Sequence, residues 1–122
     1  MTHQNIDHAF IAQVFDTPEM FAKLSETDRA RLQTEVSKTI HALDRGELSV
    51  VKKTAGGFEV ETFTKKAILL HFRLQKMEVV ECGPFTFVDK IPLKKWSGSE
   101  GVRVVPQALV RQGAFVESGA IL

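Results

Sequence analysis

Ile6, Phe10 and Val14 recur at four-residue spacing, with Ala9 and Phe15 beside them, so the chain opens on a helix with one apolar face. Thr17-Pro18-Glu19 predicts a second helical start: a hydroxyl able to cap, a proline at the first helical position, and an acid in the first turn. Ser25 and Asp28 predict a third start, a variant of the capping box. Leu32, Val36, Ile40 and Leu43 then form an apolar stripe, and Gly46 stands where a left-handed C-terminal cap belongs. Arg31, Glu35 and Lys38 occupy the other face and are expected to be solvated. The period then shortens. Leu48-Ser49-Val50 and Phe58-Glu59-Val60 alternate about Gly56-Gly57, which predicts a hairpin. Thr62 to Gln75, with Ala67 to Leu70 continuously apolar, reads as a buried helix; a strand is the competing reading, and length with Ala and Leu content favours the helix. Met77 to Val80 and Phe85 to Val88 read as two more strands joined by Cys82-Gly83-Pro84, and Lys94 to Gly101 is a polar, Gly-rich loop. The expectation for residues 1–100 is an α+β domain of helices plus a small antiparallel sheet.

Residues 101–122 follow a different rule. Aliphatic side chains stand at Val104, Val110, Val116 and Leu122, one every six residues. Alanine fills the fifth place of each hexad (Ala108, Ala114, Ala120), and glycine holds the fourth in two of three (Gly113, Gly119). A six-residue period of this kind predicts the opening coil of a parallel β-helix, with the aliphatic residue inward and the small ones near the corners. One coil can neither bury its inner residues nor satisfy its edge hydrogen bonds without a neighbour stacked on it. Ala120-Ile121-Leu122 is apolar and offers no polar cap, so a truncated solenoid is expected.

Composition narrows the function more than it defines it. In 122 residues, 16 basic and 15 acidic side chains nearly cancel, which leaves no electrostatic footprint for nucleic acid or an anionic membrane. The single cysteine, Cys82, excludes an intrachain disulfide and a CxxC zinc site. No apolar run approaches the roughly 20 residues needed to span a bilayer, and Met1 to Phe10 lack the pattern of a secretory signal, so a cytoplasmic location is expected.

Most chemistry-bearing residues have a plain structural reading. His71 lies in the buried helix and is expected as a hydrogen-bonded core or edge histidine. His3, His8 and His41 show no metal-ligand spacing. Cys82 reads as a small turn residue without signs of activation. Lysine pairs at 52–53, 65–66 and 94–95 are scattered without the interleaved aromatics of a nucleic-acid groove. Gly56-Gly57 is a turn and no phosphate loop. Trp96 could pack the loop against the coil or sit at a subunit contact. Arg111 occupies an outward repeat position suited to surface charge pairing. On composition alone Arg103 is a surface arginine within reach of Glu100 or Glu117.

Four stretches carry a resemblance: Leu43-Asp44-Arg45-Gly46-Glu47-Leu48-Ser49-Val50, Lys65 to Arg73 (Lys-Lys-Ala-Ile-Leu-Leu-His-Phe-Arg), Phe87 to Lys94 (Phe-Val-Asp-Lys-Ile-Pro-Leu-Lys), and Gly101-Val102-Arg103-Val104-Val105-Pro106 running into Val110 to Val116. In that order, over residues 35–122, the chain resembles the tetrahydrodipicolinate N-succinyltransferases of lysine and diaminopimelate synthesis. The first 35 residues match only as a helical lead-in. The resemblance implies a homotrimer with a left-handed β-helix after the α+β domain. It also implies transfer of succinyl from succinyl-CoA to the amine of L-2-amino-6-oxopimelate. The arginine of the Arg-Val-Val-Pro motif, Arg103 here, is implied to bind substrate; a guanidinium fork suits a carboxylate. Catalytic groups and the coenzyme A surface are expected beyond Leu122, so no catalytic residue, cofactor ligand or metal ligand is assigned, and the isolated chain is expected to be inactive. Two other functions fit the same residues: a related acyltransferase on a similar amino diacid, and a non-catalytic module that binds a full-length partner.

Overall fold

A computed structural model describes residues 5–122; His3 lies outside the described residues. Helices come first: α1 (His8–Asp16), α2 (Pro18–Ala22) and α3 (Glu26–Asp44), followed by strands β1 (Val51–Thr54) and β2 (Gly57–Val60), helix α4 (Thr62–Leu74), and strands β3 (Glu78–Cys82) and β4 (Phe85–Asp89). Each strand pair is a separate two-stranded antiparallel hairpin, where one small sheet was expected. The core is helical. Ile6, Phe10, Ile11 and Val14 from the start of the chain meet Leu32, Val36, Ile40 and Leu43 of α3 and Ala67 and Leu70 of α4. Full burial of such a side chain contributes about 1.5–3 kcal/mol, so these stripes outweigh any other local preference.

The caps follow their chemistry. The Ser25 hydroxyl accepts from the Asp28 amide at 3.1 Å, as the start signal of α3 predicts. Thr17 precedes Pro18 without a side-chain cap bond, so α2 starts on proline geometry alone. At the far end of α3 the Gly46 amide donates to Leu43 O and the Glu47 amide to Ala42 O, the paired bonds of a Schellman cap, with Gly46 at φ 74°.

Two further sequence expectations need correction. The first strand of the first hairpin lies at Val51–Thr54, immediately after Leu48–Val50. Leu48 and Val50 pack against the helical core, so their alternation records the chain leaving α3, while the tight Ala55-Gly56 turn sets the ladder. Glu35 is buried: it accepts from the Asp7 amide at 2.8 Å and from Lys38 Nζ at 2.7 Å. Its partner amide comes from 28 residues earlier, which helical periodicity cannot register. In the second hairpin Gly83-Pro84 forms the two-residue turn between Cys82 and Phe85. Gly83 takes φ 57°, and proline after it cannot, which selects a type II′ turn.

From Gly101 onward the backbone repeats itself every six residues. Amides of Ala108, Ala114 and Ala120 donate to the carbonyls of Val105, Arg111 and Glu117, so the same turn recurs three times. The third residue of each turn has positive φ: Gln107 77°, Gly113 100° and Gly119 92°. The hexads thus share a geometry even where glutamine replaces glycine. Arg103 forms a parallel bridge with Ile121, eighteen residues later, and Leu93 an antiparallel bridge with Arg111. Val104, Val110 and Val116 are half-buried, and Leu122 is 39% exposed.

Candidate functional site

Chemistry-bearing side chains gather in two places: where the tail leans on α3, and along the bridged strand that carries Arg103. The first is a joint built around Asp44. Its Oδ1 accepts from the Gly113 amide at 2.8 Å, and its Oδ2 pairs with Lys94 Nζ at 2.9 Å. Lys94 also donates to Asp44's own carbonyl at 2.9 Å. That ammonium answers two negative features at once, a carboxylate and the carbonyl end of α3. The Lys94 side chain is 7% exposed, so it is no scattered surface lysine, and Trp96 lies 5.5 Å from the ammonium with its ring facing it. The Lys94 amide donates to Val110 O and the Gln112 amide to Pro92 O, which extends the joint through the backbone. Gly46 completes it: a Cβ there would stand 2.9 Å from the ring of Phe115. Helix end, loop and tail thereby form one hydrogen-bonded unit.

The second place is Arg103. Its backbone is fixed on both sides, the amide donating to Ala120 O and the carbonyl accepting from the Leu122 amide, each at 3.0 Å. Residue 103 is exposed, and among the described residues it forms no ion pair. Glu100, the neighbour that charge alone would pair with it, is engaged elsewhere. The Glu100 carboxylate accepts from the Ser97 amide and hydroxyl at 2.8 Å each and from the Gly98 amide at 2.9 Å, closing the loop on itself. Those bonds, the Ser97 amide foremost, draw its pKa down to about 2. At Gly101 the backbone takes φ 71°, and a Cβ would collide with Ser118 Oγ, so the stacked segments approach closely there.

Other sequence candidates lie apart. Arg111 pairs with Asp89 at 2.7 Å and links β4 to the tail. These two form the polar end of an open groove of about 520 Å³ whose other walls include Val80, Phe87, Leu93 and Leu109. His8 stacks on Phe63 with centroids 3.7 Å apart, His41 is exposed, and Cys82 ends β3 exposed. His71 is buried, its Nδ1 3.4 Å from Gln75 Nε2. Among the described residues no three His, Cys, Asp or Glu side chains gather as a metal site, and no helix is long and apolar enough to cross a membrane. Sequence reading missed the Asp44–Lys94 pair; the signal available was an acid two residues ahead of a glycine cap, too common to single out.

The sequence model of the family described as tetrahydrodipicolinate N-succinyltransferase N-terminal matches residues 6–74. The chain belongs to that family. The match begins at Ile6, so the helical lead-in is itself family sequence, beyond the 35–122 span that carries the resemblance. Three relatives carry the name 2,3,4,5-tetrahydropyridine-2,6-dicarboxylate N-succinyltransferase. That of Bordetella petrii is 41% identical over 76% of this chain and 36% of its own length. That of Sodalis glossinidius is 38% identical over 98% and 43%, and that of Coxiella burnetii 33% identical over 92% and 42%. The chain thus spans about two fifths of the length of the curated relatives it matches. Within the family segment, Asp44 and Gly46 provide the α3 half of the joint.

Proposed function

We propose that this chain is the N-terminal part of an acyltransferase that moves succinyl from succinyl-CoA to the amine of L-2-amino-6-oxopimelate, in a cytoplasmic homotrimer of lysine and diaminopimelate synthesis. The observation that carries the reading is the match to named succinyltransferases over nearly the whole chain. In this reading residues 1–100 are the α+β domain and 101–122 open a left-handed β-helix. The recurring turn and the eighteen-residue bridge support that division. Half-buried Val104, Val110 and Val116 suit an inner row that a further coil would cover.

Arg103 is the substrate-binding residue of this reading. An exposed guanidinium on a backbone pinned at both peptide groups offers two parallel hydrogen bonds to a carboxylate at a defined place. Anchoring a dicarboxylic substrate this way orients its amine toward the thioester, and such positioning accounts for much of acyl-transfer catalysis. The groups that move protons and hold coenzyme A belong, in this reading, to the part of the relatives that this chain does not align with.

The test joins residues 1–122 to the remaining length of the Sodalis glossinidius relative and measures CoA release by thiol titration. Substrate-dependent turnover is expected, with Arg103→Lys raising KM about tenfold or more, since loss of a bidentate charged contact costs about 1.5–3 kcal/mol. A folded trimer without turnover would refute the reading. The 122-residue chain alone is expected to release no CoA.

A further inference from the structure

The structure carries one buried ring that the joint and Arg103 leave unexplained. His71 of α4 is 7% exposed, and its Nε2 has no hydrogen-bond partner among the described residues. The ring borders a partly open, mostly apolar pocket of about 120 Å³ between α3 (Ile40, Leu43), α4 (Ile68) and the tail turn (Arg111, Gly113). That turn is the piece of tail held by Asp44. The histidine therefore stands against the docked face of the joint.

We propose that His71 makes the seating of the tail pH-sensitive: the neutral ring accepts the 111–113 turn against α3 and α4, and the protonated ring releases it. The contacts favour the neutral ring on both sides. Gln75 Nε2, a donor, lies 3.4 Å from Nδ1, a contact that fits the neutral tautomer with Nδ1 as acceptor and the proton on Nε2. A second ring proton would set two donors against each other. It would also place a cation in an apolar cavity, where an uncompensated charge is strongly disfavoured. The charged groups around it are mostly positive. His41 faces it from α3, Arg111 from the tail with its charge shared with Asp89, and Lys90 hydrogen-bonds Phe72 O on the same helix at 3.2 Å. Burial first, then the field of His41, holds the ring below the ordinary histidine value of about 6.5.

The sign follows by linkage. A base whose pKa is depressed in the docked state leaves docking unchanged above about pH 6.5 and weakens it as pH falls below that value. The weakening ends once pH passes the docked-state pKa. One proton permits at most about a tenfold loss of the docking equilibrium per pH unit.

Amide exchange of the 122-residue chain, corrected for intrinsic rates and followed by NMR from pH 7.5 to 5.0, tests this. Expected are a loss of protection at Gln112 and Gly113 below pH 6.5, smaller changes at Val36 and Leu70, and a pH-independent tail in His71→Gln. Equal losses in tail and core would overturn the proposal, because the ring would then act on the whole fold. So would a loss in the Gln variant as large as in the parent chain. Should that variant not fold, the His71 ring nitrogens of the parent chain decide: titration at or above pH 6.5, or protonation without loss at Gly113, sinks the idea.

Discussion

Removing the Asp44 carboxylate is the sharpest test of the joint. Asp44→Ala leaves the Lys94 ammonium, 7% exposed, with a single carbonyl partner, and leaves the Gly113 amide without its acceptor. Breaking a buried ion pair by deleting one member costs about 3–5 kcal/mol, and an unsatisfied buried amide about 1–3 kcal/mol. These overlap, and Asp44 itself is 25% exposed, so water reaches the vacated side. The expected loss is therefore about 3 kcal/mol, roughly a hundredfold in the equilibrium. Lys94→Met should cost only about 1 kcal/mol, because the carboxylate left behind keeps its Gly113 bond and a wet flank. Asp44→Ala combined with Lys94→Met should recover about 2 kcal/mol of the first loss, since no ammonium is then stranded. Urea unfolding with all four chains, read by Trp96 fluorescence beside Lys94, gives the cycle directly. Additive losses, or a cost below about 0.5 kcal/mol for Asp44→Ala, would show that the contact is surface decoration and that no joint forms around this carboxylate.

Other outcomes follow from the same geometry. Gly46→Ala meets both a positive φ and the Phe115 ring, so a loss of about 2–3 kcal/mol in urea is expected, part of it restored by Phe115→Ala. Gln107→Gly relieves the one non-glycine residue at positive φ among the described residues and should raise stability by about 0.5–1 kcal/mol, read as a higher unfolding midpoint. Burial raises the pKa of Glu35, but Lys38 and the Asp7 amide outweigh it and set the net shift downward. Its contribution is then present at neutral pH and fades as pH falls below about 4.5 through the folded value. Glu35→Ala should cost about 1–2 kcal/mol at pH 7 and flatten the acid limb of the stability curve. An unchanged acid limb would mean that other carboxylates govern it.

The helices were legible because a four-residue apolar period has one physical solution, a buried stripe, and Ser25 and Gly46 mark ends through local chemistry. The tail was legible for the same kind of reason: a six-residue period demands a repeated backbone, and the turns closed by Ala108, Ala114 and Ala120 supply it. Positive φ at Gln107 extends that rule to a position where the letter itself gave no hint. The resemblance singled out Arg103 as a candidate, while the engagement of Glu100 by Ser97 and Gly98, which leaves that guanidinium without this neighbour, is a matter of loop geometry.

Pairings between distant residues came from the three-dimensional fold alone. Glu35 meets an amide 28 positions away, Lys94 both the carbonyl and the carboxylate of a residue 50 away, and Gly113 that same carboxylate across 69. Periodicity reports which face of an element is dry; it holds no record of which polar group from elsewhere crosses that face. A buried charge is tolerated only where such a partner arrives: the Lys94 ammonium finds a carboxylate on α3, and Glu35 adds the Asp7 amide to its chain neighbour Lys38.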